Sequence, residues 1–227
     1  RIPHSRGLGS SASAIVAGVT LARALIGDAD VLGRQEILEI GSHMEGHPDN
    51  VAPAVFGGAT VSWMNEETSE VGSVRLTPPE GINPVAFIPD FELRTAAARA
   101  ALPATVAHGD ASFNVARGAL LAAVLSGGAQ VSGGADLHVL LMEATRDRLH
   151  QEQRRAAMEP SLALVDWLRG AGFAAVVSGA GPTVLSLEQV GADIRRDAAG
   201  AGWRVVPLAV AASGVQITRG SLAKVEF

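Results

Sequence analysis

Apolar residues crowd the start of the chain. Behind Gly7-Leu8-Gly9-Ser10-Ser11, the positions Ala14, Ile15, Ala17, Val19, Leu21, Ala22, Leu25 and Ile26 leave almost no polar side. Such a run predicts a helix buried nearly all round rather than a surface helix, with Gly27 and Asp28 as its stop. A second helix is predicted from Arg34 to about Met44, with Ile37, Ile40 and Met44 on one face, broken by His47-Pro48-Asp49-Asn50. Val55 to Met64 reads as a strand kinked or closely approached at Gly57-Gly58, and Val71 to Leu76 alternates so that it could pair with it. Pro78-Pro79-Glu80-Gly81 is the best linker in the chain.

Beyond that linker, Val85 to Ile88 is a short buried-strand run ended by Pro89-Asp90. Helices are predicted over Thr95 to Leu102 and Ser112 to Leu125, the second with Val115, Ala119, Ala122 and Leu125 on one side. Leu137 to Met142 is apolar and fits strand or helix equally. Ser161 to Arg169 is helical by periodicity, with Leu162, Val165 and Leu168 together. Ala174 to Val177 and Thr183 to Leu187 read as strands joined by Ser178-Gly179-Ala180-Gly181-Pro182; Ile194 to Ala201 adds a helix and Trp203 to Leu208 a strand. There is no internal repeat. The pattern is α+β in two parts, divided as residues 1–81 and 82–227.

Composition narrows the function classes. Of 227 residues, 48% are hydrophobic and 18% charged, with mean hydropathy +0.25, which excludes a disordered chain. A net charge of −5 offers no basic surface to nucleic acid or anionic lipid. The absence of cysteine removes disulfides, thiol nucleophiles and Cys-ligated zinc. No apolar run reaches the roughly 18 residues of a membrane helix, since Ala12 to Ile26 carries Arg23, and nothing resembles a signal peptide. A soluble, cytoplasmic chain is expected. It begins at Arg1 without a methionine and is at once in a glycine-serine motif, so a fragment or a processed form is also expected.

Gly7-Leu8-Gly9-Ser10-Ser11-Ala12 directly precedes the first helix. Backbone N–H groups at a helix start lack intrahelical partners, and the helix dipole favours negative charge there. Glycines let that backbone approach a phosphate closely, while serine hydroxyls add donors or a metal ligand. Three readings compete: a capped helix with close packing, a dinucleotide fingerprint, and a kinase phosphate loop other than Walker A. The dinucleotide motif needs flanking strands and an acid about 20 residues on; Asp28 has the spacing, but no apolar strand surrounds it.

Pro3-His4-Ser5-Arg6-Gly7-Leu8-Gly9-Ser10-Ser11-Ala12 resembles the P-x-x-x-G-L-G-S-S-A signature of the GHMP small-molecule kinases. The resemblance implies that this loop, including Pro3, Arg6, Gly7, Leu8, Gly9, Ser10, Ser11 and Ala12, wraps ATP phosphates, with Ser11 on the metal side.

Glu45-Gly46-His47-Pro48-Asp49-Asn50 packs two carboxylates, an imidazole and an amide into six residues. A polar helix end with an Asx-type turn would look the same. Magnesium on ATP takes only one or two protein oxygens, which Ser11 and Glu45 would supply. His43 and His47 are spaced i, i+4, but Gly46, Pro48 and the lack of a third ligand disfavour zinc. With Val51-Ala52-Pro53 and Phe56-Gly57-Gly58, the stretch narrows the resemblance to the homoserine kinases, implying Glu45 on magnesium and His47, Asp49 and Asn50 in the amino-acid pocket.

Arginine forks suit a substrate carboxylate. Thr95-Ala96-Ala97-Ala98-Arg99-Ala100-Ala101-Leu102-Pro103 and His150-Gln151-Glu152-Gln153-Arg154 match two stretches of that family, implying Arg99 and Arg154 as carboxylate ligands. Without the resemblance each reads as a solvated helix arginine. Asp110-Ala111-Ser112-Phe113-Asn114 also matches, and Asp110 is read first as a helix-start residue. Ser178-Gly179-Ala180-Gly181-Pro182-Thr183 resembles the third GHMP motif, which implies Gly179, Gly181 and Thr183 at the phosphate end.

The resemblance implies a GHMP kinase fold: an N-terminal domain like ribosomal protein S5, without the family's upstream segment, and a ferredoxin-like C-terminal domain. It implies ATP and Mg2+ as cofactors and L-homoserine as substrate, phosphorylated on its hydroxyl for threonine synthesis, with no general base assigned. A homodimer is a candidate assembly. Another GHMP kinase of mevalonate type and a non-catalytic GHMP-like ligand-binding protein are the rival readings.

Overall fold

The computed structural model describes residues 2–26, 32–128 and 136–218. Contacts divide the chain into two compact units, Ser11–Arg75 with Ala211–Phe227, and Arg1–Ser10 with Leu76–Val210.

The smaller unit holds helices α1 (Ser10–Ile26), α2 (Arg34–Glu45) and α3 (Val51–Phe56), followed by paired strands β1 (Ala59–Met64) and β2 (Val71–Leu76). Its core joins Ala12 and Val16 of α1, Ile37 and Leu38 of α2, and Val51, Ala52 and Val55 of α3 with Val71. Helix α1 is not buried all round: Leu21, Leu25 and Ile26 are 61%, 79% and 61% exposed. A two-stranded sheet and two further helices are too few to wrap a helix on every side. The predicted stop at Gly27 and Asp28 lies outside the described residues.

Helix α2 buries Ile37, Leu38, Gly41 and Ser42, while Ile40 and Met44 face outward, so its inner face is turned from the predicted one. The cause is α3, which replaces the start of the predicted 55–64 strand. A Cβ on Gly41 would stand 2.7 Å from Val51 Cγ1, so the two helices meet at that glycine. Val51 and Val55 lie one helical turn apart and both are buried, a spacing that suits a helix face as well as a strand run. Gly57 ends α3 at φ +74° and packs against backbone of Ser213 and Gly214, the close approach expected at that pair of glycines.

In the larger unit, strands β3 (Val85–Ile88), β4 (Ala175–Val177), β5 (Val184–Ser186) and β6 (Arg204–Pro207) form an antiparallel sheet in the order β4-β5-β3-β6. Helices α4 (Thr95–Ala100), α5 (His108–Leu125), α6 (Leu137–Ala144) and α7 (Glu159–Gly170) lie between β3 and β4 in the chain, and α8 (Ala192–Gly200) between β5 and β6. A β4–β5 hairpin whose second strand pairs with β3, with β6 on the other side of β3, makes the ferredoxin-like arrangement. All four residues of β3 are buried, as expected for a central strand. Leu164, Val165 and Leu168 of α7 and Ala198 of α8 pack with Val85, Phe87 and Val184. The ambiguous 137–142 run is helical because the Asp136 carboxylate caps it, accepting from Val139 N–H. Helix α5 starts a turn earlier than expected. It buries Val124, with Leu120 and Leu121 half-buried beside it, and leaves Val115 73% exposed.

Candidate active site

In the larger unit the first glycine loop and the β4–β5 loop are locked together. Gly7 and Gly9 have φ of +73° and +66°, conformations that favour glycine. A Cβ on Gly7 would lie 2.3 Å from Ser178 O and 2.7 Å from Gly181 O. Ser178 Oγ donates to Gly7 O (2.8 Å), and Thr183 N–H donates to Arg6 O (3.2 Å). The β4–β5 turn closes on itself through Gly181 N–H to Ser178 O at 2.9 Å. The buried Ser161 hydroxyl of α7 supports it from below, donating to Pro182 O at 2.6 Å. Thr183 is fully buried and its Oγ1 has no partner among the described residues.

Arg6 is a tether. Its guanidinium donates to Pro89 O (2.9 Å) and Asp90 O (2.7 Å) and pairs with Glu92 (3.1 Å). Any phosphate contact at this residue is left to its backbone. Pro3 and Leu8 lie along the same loop and Ser10 opens α1, all half-buried, and Gly179 (φ +57°) faces Gly7 O across the gap.

In the smaller unit, Ser11 Oγ donates to Glu45 Oε2 at 2.7 Å, across 34 residues of sequence. Glu45 is the last residue of α2, because Gly46 turns left-handed (φ +88°) and returns its N–H to Ser42 O. Ala12 is fully buried in the core, which holds the first turn of α1 in place. Past the cap, the turn before α3 gathers the other polar residues. His47 Nδ1 lies 2.5 Å from Asp49 Oδ1, a contact distance without hydrogen-bond alignment, and Asn50 donates to the same oxygen from N (2.8 Å) and Nδ2 (3.2 Å). His43 points elsewhere, with Nδ1 2.7 Å from Glu39 O.

Arg99 and Arg154 are neighbours in the larger unit. Arg154 Nε donates to Ala98 O at 3.0 Å. Burial first, and then the nearby Arg99 charge, pull the Arg154 guanidinium below its ordinary pKa, against the opposite pull of Asp147. Among the described residues neither arginine has a carboxylate within ion-pair distance.

Two known domain families match the chain: the GHMP kinases N terminal domain over residues 1–58 and the GHMP kinases C terminal domain over residues 120–198. A homoserine kinase of Streptomyces avermitilis is 45% identical over 219 residues, covering 96% of this chain and 68% of its own. The chain belongs to the GHMP kinases. A homoserine kinase of Streptomyces coelicolor is 44% identical over 219 residues, again across 96% of this chain and 67% of that relative. The crystal structure of homoserine kinase from Cytophaga hutchinsonii shares the fold, with a TM-score of 0.78 at 23% identity over 94% of this chain and 69% of that one. This GHMP kinase therefore spans about two-thirds of the length of the relatives it matches. As a member of that family it is an ATP-dependent phosphotransferase. Among the described residues no helix is long and apolar enough to cross a membrane.

Sequence reasoning missed Ser161 and the clamp role of Ser178, and it gave no role to Asn114, Asp147 or Gln151. Ser178 sat inside a recognised motif. Asp147, just ahead of a turn, carried the usual signal of an acid that caps backbone N–H groups.

Proposed function

We propose that this kinase transfers the γ-phosphoryl group of ATP to the side-chain hydroxyl of L-homoserine, giving O-phospho-L-homoserine for threonine synthesis in the cytoplasm. The observation that carries the phosphoryl-transfer half is the Ser11–Glu45 hydrogen bond. It sets a hydroxyl and a carboxylate together at the first turn of the helix behind the glycine loop. These are hard oxygen donors of the kind and number that suit Mg2+ on a nucleotide. Ser11 and Glu45 would hold that ion, which when bound offsets the phosphate charge. The loop amides from Gly7 to Ala12, with Gly179, Gly181 and Thr183, would cradle the phosphates.

For the amino-acid half, Arg99 and Arg154 of the larger unit are read as a fork for a carboxylate, and the His47-Asp49-Asn50 turn of the smaller unit is read separately as a set of polar amino-acid ligands. The relatives named homoserine kinase support this choice of substrate. Catalysis is then mainly positioning and charge stabilisation. The homoserine oxygen attacks the γ-phosphorus as the bond to the β–γ bridging oxygen breaks, and the hydroxyl proton passes to the transferred phosphoryl or to solvent. Asp49, whose Oδ1 accepts from Asn50, is read as a substrate ligand, and no general base is assigned.

The test is a coupled ADP-release assay on the intact protein. Homoserine-dependent release is expected. Turnover with mevalonate and none with homoserine overturns the substrate, and tight ATP binding without any turnover overturns the enzyme reading. In Arg99→Ala the homoserine KM rises while the ATP KM holds; an unchanged homoserine KM removes Arg99 from the carboxylate site.

A further inference from the structure

We infer that Asn114 and Asp147 are positioning residues for Arg154, fixing where its guanidinium meets the substrate carboxylate. The inference rests on the reading of Arg154 just given.

Asp147 takes part in no ion pair among the described residues. Its oxygens instead take up four neutral donors. Oδ1 accepts from Asn114 Nδ2 (2.7 Å) and Leu149 N–H (3.2 Å), and Oδ2 accepts from His150 N–H (2.9 Å) and Gln151 N–H (2.6 Å). A half-buried carboxylate bound to three successive backbone amides dictates the path of the chain, and its charge also favours the Arg154 cation. That path leads directly into the 3-10 turn Glu152–Ala157, which carries Arg154. Gln151 passes the constraint on, because its carbonyl accepts from Arg154 N–H at 3.0 Å.

Asn114 anchors the same segment to α5. Its Nδ2 holds Asp147 and its Oδ1 accepts from Arg148 N–H at 2.9 Å. The Phe113 ring beside it has guanidinium groups of Arg117 and Arg148 at 3.8 and 3.9 Å from its centre. Asn114, in the stretch where the sequence reading gave a role only to Asp110 as a helix-start residue, thus pins the loop in front of Arg154.

The other end of the turn is fixed too. Arg154 Nε is bound to Ala98 O, and its terminal nitrogens make no hydrogen bond among the described residues. Gln151 Oε1 accepts from Val177 N–H at 2.8 Å, one residue before the β4–β5 glycine loop. One short segment therefore sets the arginine and is tied to the strand that leads into the phosphate-side loop.

The experiment is a mutant cycle on the intact protein, reading homoserine KM, ATP KM, kcat and Tm. Arg154→Ala should raise the homoserine KM. Asn114→Ala and Asp147→Asn should each raise it by about tenfold, the scale of a misplaced substrate ligand, with the ATP KM unchanged. In an Arg154→Ala background, Asn114→Ala should add nothing further, since its effect runs through the missing side chain. A merely structural role predicts the same fold-change in both backgrounds, and that outcome overturns the inference. So does an unchanged homoserine KM in Asn114→Ala when Arg154→Ala shows a large effect. An unchanged KM in Arg154→Ala itself defeats the carboxylate reading of Arg154 and the inference with it. If Asp147→Asn does not fold, Asn114→Ala, which leaves the three backbone bonds of Asp147 in place, decides alone.

Discussion

Replacing Gly7 by alanine tests the contact between the two glycine loops. The added Cβ would stand 2.3 Å from Ser178 O and 2.7 Å from Gly181 O. Both are backbone oxygens that no rotamer change can move. A carbon needs roughly 3.5 Å of room, so the loops must part by about 1 Å. That separation breaks the Ser178 Oγ–Gly7 O and Thr183 N–Arg6 O bonds, each worth about 1 kcal/mol. The left-handed φ of +73° at Gly7 adds about 1 kcal/mol for a residue with a Cβ. The expected loss is about 3 kcal/mol, a fall in Tm of roughly 6–12 °C for a unit of this size. The ATP KM should rise by about tenfold or more, because the displaced amides are those proposed to hold the phosphates. Gly118→Ala is the control: it lies inside α5 with no atom within 4 Å of the new Cβ, and should stabilise by about 0.5–1 kcal/mol. Differential scanning calorimetry and steady-state kinetics read both variants. A Gly7→Ala protein that melts with the wild type and keeps its ATP KM would refute the close approach.

Three further outcomes are expected. Glu45→Gln should raise the magnesium concentration for half-maximal rate by about tenfold with little change in Tm, and an unaltered magnesium titration would take Glu45 out of the metal site. Phe87→Ala, at a fully buried ring in the middle of β3, should cost about 3–5 kcal/mol in urea unfolding; a loss below 1 kcal/mol would contradict its place in the core. Burial pushes the Asp147 carboxyl up, but hydrogen bonds from Gln151 N–H, Asn114, His150 N–H and Leu149 N–H outweigh it and leave the pKa below its ordinary value. A carboxyl with a depressed folded-state pKa contributes stability above its unfolded pKa of about 3.9 and loses it as pH falls through the folded value. The Tm gap between wild type and Asp147→Asn should therefore be full at pH 6 and shrink below pH 4, and a gap that stays constant would refute the assignment.

Much of the larger unit was legible because its elements are strongly patterned. Leu162, Val165 and Leu168 share a helical face and are all buried, and the apolar run at 85–88 is the central strand. The smaller unit was harder to read. Helix α3 is a single turn and a half, too short for a 3.6-residue period to show, and the strand expected from Val55 overlapped its end. The outward face of α1 was misread because periodicity reports which residues are apolar and not how many neighbours are present to cover them. At the site, glycine loops and the Ser11–Glu45 pair were visible as motifs, since each needs particular residue types. The tether at Arg6 and the amide-binding carboxylate of Asp147 were not, because their partners are backbone atoms that carry no letter in the sequence.

The pairing of β3 has a consequence for biosynthesis. Its neighbours on either side are residues 184–186 and 204–207, so the strand emerges from the ribosome about a hundred residues ahead of its first partner. At 5–20 residues per second, that interval lasts roughly 5–20 s. Throughout it, four apolar residues destined for the middle of a sheet have no strand to pair with. The nascent chain must stay shielded for that time, and a stop codon anywhere before residue 184 would leave it permanently unpaired. The glycine loop shares the delay, because Ser178 and Thr183, which grip it, are translated in the same late stretch.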